Sequence, residues 1–96
     1  MHIPEANAYM YVLISLKDGS TYVGSTHNLT RRLKEHNAGK MRYTKGHLPY
    51  KLVYFETYDT YSEAFRREKY LKSGAGREWL KENVLKEIDK SGLSSG

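Results

Sequence analysis

Tyr9-Met10-Tyr11-Val12-Leu13-Ile14-Ser15-Leu16, then Lys17-Asp18-Gly19-Ser20, then Thr21-Tyr22-Val23-Gly24, is the stretch on which the fold turns. Across 9–16 every residue except Ser15 is apolar or aromatic, which suits a strand covered on both faces. Asp18-Gly19 is a strong hairpin signal, because both central residues of a type I′ turn need positive φ and these two tolerate it. A two-residue loop of that type sets Leu16 opposite Thr21 and Ser15 opposite Tyr22. Tyr11, Leu13, Ser15, Tyr22 and Gly24 then share one face, and Met10, Val12, Ile14 and Val23 line the other. One face is aliphatic. The other carries two phenols and ends on Gly24, which is either a plain strand end or a point of close approach for a backbone or ligand.

A chain of 96 residues has room for one modest core. With 39% hydrophobic and 12% aromatic residues it belongs among folded globules rather than disordered tails. Nine tyrosines against two phenylalanines suit surfaces that are both packed and wet. Lys and Arg number 16 against 11 acids, and the resulting formal charge of +5 points to an anionic partner, nucleic acid above all. The absence of cysteine excludes disulfides and thiolate metal sites. No apolar run is long enough to span a membrane and the N-terminus has no signal-peptide pattern, so a cytoplasmic protein with no membrane association is expected.

Outward from the hairpin, residues 1–8 contain Pro4 and no periodicity, and are expected to be an irregular lead-in to a domain over 9–90. Residues 28–37 read as a first helix capped by Asn28 or Thr26, with Gly39 just beyond it. Residues 40–50 are basic, aperiodic and punctuated by Gly46 and Pro49, hence a loop. Residues 51–57 are rich in strand formers and make a third strand. Thr60 or Asp59 can cap a second helix over 61–72, which Gly74 stops. Gly76 separates it from a third helix over 77–90, on which Leu80, Val84 and Ile88 recur at helical spacing beside Trp79. Residues 91–96 are small and polar, and read as a flexible tail.

Two of these helices turn polar groups inward. Leu29 and Leu33 define the buried stripe of the first, and Arg32 and His36 fall on or beside it, while Arg31, Lys34 and Glu35 point away. His36 is then a hydrogen-bonded core histidine or a working one, and Arg32 a snorkelling stem or a phosphate ligand. On the second helix Tyr61, Ala64, Phe65 and Leu71 define the apolar face, and Glu68 lies near its centre. An enclosed carboxylate without a partner costs several kcal/mol, so Glu68 is either paired with Arg32 or holds a cation in an open cleft.

Tyr11, Tyr22-Val23-Gly24, Arg32, His36 and Glu68 together resemble the GIY-YIG nuclease domain, in particular its small single-domain bacterial members. The resemblance spans about 9–82. One departure stands at the start, where Tyr9-Met10-Tyr11 replaces Gly-Ile-Tyr but keeps the tyrosine; Val23 for Ile is a conservative exchange. The resemblance implies an α+β fold, a small three-stranded antiparallel sheet flanked by about three helices. It also implies metal-dependent hydrolysis of DNA phosphodiesters with a single Mg2+ or Mn2+, and a setting such as DNA repair. Carried over residue by residue, Glu68 holds the metal, Tyr11 helps activate the attacking water, and Tyr22 positions water or phosphate. Arg32 neutralises the phosphate and His36 assists in orientation or proton transfer. Asn83 is the one asparagine after Glu68 and corresponds to a late asparagine of some members.

The chemistry is workable with these groups. One carboxylate plus waters and substrate oxygens suffices for Mg2+, and a guanidinium fork suits two phosphate oxygens. A phenol whose ordinary pKa is about 10 needs positive charge nearby, or a proton acceptor such as His36, to act near neutrality. Lys40, Arg42, Lys45 and Lys51, interleaved with Tyr43 and Tyr50, are candidates for a DNA track, with cations on phosphates and aromatics on exposed bases. In the alternative reading this is a solvated loop whose tyrosines are packed down. Nothing resembles a base-specific code, so weak sequence preference is expected, with branched, nicked, single-stranded or end structures recognised instead. A nucleic-acid-binding module on the same scaffold with little catalytic activity, or a protein-interaction domain using its tyrosines, are the competing readings.

Overall fold

The computed structural model describes residues 2–86. Strands β1 (Ala8–Ser15), β2 (Thr21–Thr26) and β3 (Tyr50–Tyr58) form one antiparallel sheet in the order β2-β1-β3. Helix α1 (Leu29–Asn37) lies between β2 and β3 in sequence; α2 (Tyr61–Leu71) and α3 (Gly74–Leu80) follow β3. The fold is α+β. β1 is the central strand and every residue along it is buried, which accounts for its nearly unbroken apolar run.

Each face of the sheet carries its own core. Tyr9, Tyr11 and Leu13 of β1 pack with Leu29 of α1 and Tyr50 of β3, while Leu33 adds to the edge of the cluster. Met10, Val12 and Val23 face the other way, against Leu71 of α2 and Leu80 of α3. The split follows the two-residue period of a strand set against helices on both sides. Ahead of β1, Ile3 and Ala6 pack on the first cluster, and the Tyr9 hydroxyl donates to Pro4 O and accepts from Ala6 N.

The hairpin differs from its expected register by two residues. Tyr11 pairs with Gly24, and Leu13 with Tyr22. Ser15 N donates to Ser20 O and Gly19 N to Ser15 O, so the loop takes in Leu16, Lys17, Asp18 and Gly19. Ser15 is responsible: its Oγ accepts from the amides of Lys17 and Asp18, which ends the strand early. Only Gly19 has positive φ here, which excludes type I′. Because the shift is an even number, every side chain stays on its expected face.

Asn28 caps α1 through its side chain, and Thr60 and Glu63 form a reciprocal capping box on α2. The junction after α2 corrects the sequence reading. Gly74 and Gly76 do not separate the helices; they form the first turn of α3, capped by Ser73 Oγ. Gly76 is there because the helices touch: a Cβ on it would stand 2.0 Å from Tyr70 O and 2.5 Å from Leu71 Cα. After α3 the chain continues as a wider π turn over Lys81–Leu85. The expected continuation of this helix to 90, including Ile88, and the tail over 91–96 lie outside the described residues. No helix among the described residues is long and apolar enough to cross a membrane.

Substituting Gly76→Ala forces backbone against backbone. It is expected to destabilise the fold by about 3 kcal/mol or more, whereas Gly74→Ala, with nothing within 4 Å of the added Cβ, stays within about 1 kcal/mol. Urea titrations of the two variants make the comparison.

Candidate active site

Tyr11 starts on the central strand, yet its phenol ends beside β2. Gly24, its partner across the ladder, makes this possible: a Cβ there would meet Tyr11 Oη at 2.6 Å and Tyr22 Cε1 at 2.9 Å. Of the two sequence readings of Gly24, close approach is the observed one, and the approaching group is a side chain of the protein itself. From that position Tyr11 Oη lies 2.9 Å from His36 Nε2. The ring of Tyr22 stands 5.0 Å from that of His36 and 6.1 Å from that of Tyr11, so two phenols and an imidazole form one aromatic cluster.

His36 is fully buried, and its Nδ1 lies 2.8 Å from Thr44 Oγ1. Burial, helped by the charge of Arg32, pushes its pKa down to about 4. Tyr11 moves in the opposite direction. Burial raises its phenol well above the ordinary range, and the charges of Tyr22 and Glu68 add to this while Arg32 opposes it. The Arg32 guanidinium thus acts electrostatically on the Tyr11 oxygen. It is half-buried and braced by Glu35, with Nε 3.1 Å from Oε1.

Glu68 arrives from the other side of the sheet. Neither sequence reading foresaw its partners: Ser25 Oγ on β2 donates to Oε1 at 2.6 Å, and Lys72 Nζ reaches Oε2 at 2.7 Å. The expected ion pair with Arg32 does not form, because Arg32 is taken by Glu35 on its own helix and Glu68 by residues on β2 and α2. The Glu68 side chain is 12% exposed, so the carboxylate sits at the rim of the core rather than sealed within it. Lys72 also lies 5.8 Å from the centre of the Tyr22 ring, which links the acid to the aromatic cluster. Tyr11, Tyr22, Arg32, His36 and Glu68 thus gather around the edge formed by β2.

Beside this cluster runs a groove of about 560 Å³ whose walls include Tyr22, Lys72, Arg77 and Lys81. The loop over 40–50 lies next to His36 through Thr44. It is tied to the hairpin turn as well: Ser15 Oγ donates to His47 O, and His47 Nδ1 stands 2.6 Å from Asp18 Oδ2. Hydrogen bonds from Ser20 and His47 hold Asp18 well below the usual carboxylate range. Lys40, Arg42, Lys45 and Lys51 are exposed. The two aromatic residues of this segment divide, with Tyr43 exposed at 81% and Tyr50 buried. Asn83 donates to Trp79 O, and Trp79 packs on Tyr54 and under the Arg67 guanidinium, so neither joins the cluster.

Sequence reasoning missed Thr44, Ser25 and Lys72. A lone threonine in a basic loop and a serine before a turn carry no signal by themselves, whereas Lys72 follows Glu68 at i+4, a spacing that pairs charges on a helix. It also misassigned Tyr61 and Phe65. Ala64 and Leu71 are buried as expected, but Tyr61 and Phe65 are 39% and 42% exposed. The buried stripe of α2 is narrower than the apolar residue types suggest.

Comparison with known proteins identifies the family. The GIY-YIG catalytic domain matches residues 7–83. A UPF0213 protein of Bacillus licheniformis is 39% identical over 90 residues, covering 93% of this chain and 91% of its own. One from Haloquadratum walsbyi is 46% identical over 69 residues, covering 70% and 78%. The solution NMR structure of a UPF0213 protein from Bacillus halodurans shares 39% identity and a TM-score of 0.46 over 76% of this chain and 80% of that one. With the match running from just before β1 to beyond α3 and taking in both tyrosines, Arg32, His36 and Glu68, the chain belongs to the GIY-YIG nuclease family.

Proposed function

We propose that this protein is a divalent-metal-dependent DNA endonuclease whose reacting groups are Tyr11, Tyr22, Arg32, His36 and Glu68. The observation that carries the reading is the Tyr11 to His36 contact of 2.9 Å at the Gly24 gap.

Only one arrangement of protons gives every buried partner its bond. Tyr11 donates to His36 Nε2, His36 Nδ1–H donates to Thr44 Oγ1, and Thr44 donates onward to Met41 O. The opposite tautomer leaves the buried Tyr11 proton without an acceptor among the described residues. A water attacking the phosphate can then give its proton to the Tyr11 oxygen as Tyr11 passes its own to the unprotonated Nε2. Thr44 is a positioning residue in this scheme: it sets which imidazole nitrogen is free. Arg32 offers its guanidinium to the phosphate oxygens as charge develops. Tyr22, at the wall of the groove, aligns water or phosphate.

Glu68 is the residue that would hold the Mg2+ or Mn2+ ion, and its donor set fits. Magnesium takes one or two carboxylates and leaves its other positions to waters and substrate oxygens. Among the described residues no cluster of three His, Asp or Glu side chains offers a competing cage. The half-exposed arm of Lys72 must leave Oε2 for the ion to bind there. When bound, the ion supplies charge neutralisation at the phosphoryl oxygens and acidifies coordinated water.

The exposed cations of 40–51 are assigned to DNA phosphates and Tyr43 to base contact, with little sequence preference. An alternative, a DNA-binding module without cleavage, draws support from the paired state of Glu68.

Incubation with nicked, branched and single-stranded DNA and Mg2+ or Mn2+ tests the proposal. Glu68→Gln is expected to slow cleavage by roughly a hundredfold or more; an unchanged rate refutes the assignment. Lys72→Met, which frees Oε2, is expected to bind Mn2+ several-fold more tightly in a calorimetric or paramagnetic titration. A pH effect follows from His36. Its folded pKa of about 4 lies below the ordinary 6.5, so the unfolded chain binds the extra proton between those values. The stability it contributes is complete above pH 6.5 and is lost as pH falls towards 4. Thermal melts should show a decline in this window, and His36→Gln should flatten it.

A further inference from the structure

Helix α2 carries a stripe of which the active site uses only the C-terminal half. At about 100° per residue, Tyr61, Phe65, Glu68 and Lys72 fall along one line, to one side of the buried Ala64 and Leu71. The rings of Tyr61 and Phe65 are nearly parallel, 10° apart in plane, with centres 6.1 Å apart. The exposed ring of His27 extends the row by stacking on Tyr61 at 4.9 Å and 25°. Two of the three rings are fixed: the Tyr61 hydroxyl donates to Ser25 Oγ at 3.3 Å, and His27 Nδ1 is held against Asn7 O. Ser25 Oγ gives its own proton to Glu68, so one hydroxyl joins the aromatic row to the reacting acid. Lys69 Nζ stands 5.6 Å from the Phe65 ring centre, and beyond Glu68 the same stripe leads into the groove lined by Lys72, Arg77 and Lys81.

Rigid exposed rings flanked by cations match what a single strand needs: π faces for bases and positive charge for phosphates. From the nuclease reading above, we infer that the row His27, Tyr61, Phe65 is a stacking platform for unpaired DNA bases next to the scissile phosphate, so that the substrate is a strand with single-stranded nucleotides flanking the cut. Two stacking gaps of about 3.4 Å exceed the 6.1 Å between the Tyr61 and Phe65 rings, so bases lie on exposed ring faces and not between the rings. The seven-residue rise from Tyr61 to Glu68, about 10 Å, accommodates two or three stacked nucleotides. Phosphates on the far side of the cut then meet Lys72, Arg77 and Lys81. Paired bases cannot present a face to these rings, so duplex DNA gains nothing from them.

The test is metal-free binding, so that it does not depend on cleavage. Fluorescence anisotropy of a labelled oligothymidylate and of a duplex of matched length is measured in EDTA with the full chain, with Phe65→Leu, with Tyr61→Leu/Phe65→Leu and with Tyr61→Phe. The leucine variants are expected to weaken oligothymidylate binding roughly tenfold per ring lost and to leave duplex binding within about twofold; Tyr61→Phe keeps wild-type affinity. Photo-crosslinking of 5-iododeoxyuridine oligonucleotides is expected to label Tyr61 or Phe65. Unchanged single-strand affinity in Phe65→Leu and the double variant overturns the platform, as does an equal loss for strand and duplex. Glu68→Gln separates the two proposals: failure of the nuclease reading leaves these affinities untouched, whereas failure of the platform leaves Glu68-dependent cleavage intact with no preference for unpaired flanks.

Discussion

The close approach of the Tyr11 phenol to the backbone of Gly24 is the constraint from which the rest of the site follows. A side chain on a central strand ordinarily ends in the core beneath its own sheet. Here the missing Cβ on the neighbouring strand lets the ring lie over β2, where its oxygen meets the imidazole of His36 from α1. His36 and Arg32 descend from α1 on one side, and Glu68 rises from α2 on the other. Any side chain at 24 would push the phenol back, and the imidazole would lose the donor it faces. The glycine therefore acts through the space it leaves, and α1 and α2 are brought to a common edge by the two cores on either face of β1.

Helix α2 shows how much a short helix must divide its surface. Its buried stripe consists of Ala64 and Leu71, one helix turn lies over Gly76 of α3, and Arg67 is committed elsewhere. Arg67 donates to both oxygens of Glu56, which also accepts from Tyr54 and Tyr58. Burial alone would raise the Glu56 pKa, but these three donors outweigh it and hold the carboxyl below its usual range; the two phenols that share it are pushed up to about 12. That network fastens α2 to β3 and leaves the opposite flank of the helix, with Tyr61 and Phe65, free to face outward.

Much of this was legible in the residues. An almost unbroken apolar run and turn chemistry located β1 and β2, and the observed caps Asn28 and Thr60 are each one of the two candidates offered, because N-cap hydrogen bonds are local. Face assignment survived a wrong register because parity, not position, decides it. What escaped depends on contacts between distant segments. Ser15 closing the loop through its own Oγ, Gly76 beneath Tyr70, and Glu68 held by Ser25 and Lys72 follow from where segments cross, which spacing along one segment does not encode. Tyr61 and Phe65 were misread for a simpler reason. An aromatic residue type signals burial on average, but at the edge of a three-stranded sheet too few neighbours exist to cover every ring.

The opposed displacements of Tyr11 and His36 bear on when the proposed relay would run. In the protein alone, moving the proton from phenol to imidazole creates a phenolate and an imidazolium in a site that has raised the first pKa and lowered the second. Desolvation disfavours both products, so at rest the pair stays neutral. Positive charge at the Tyr11 oxygen changes the balance, because it stabilises the phenolate more than it disturbs the more distant Nε2 proton. Arg32 provides part of that charge, and Lys72 holds the Glu68 carboxylate in reserve at a position where an entering cation competes with the ammonium. The same burial that makes a tyrosine a poor base in isolation would thus confine the proposed use of Tyr11 as one to a site holding substrate and ion, whose charges would offset the desolvation of the phenolate.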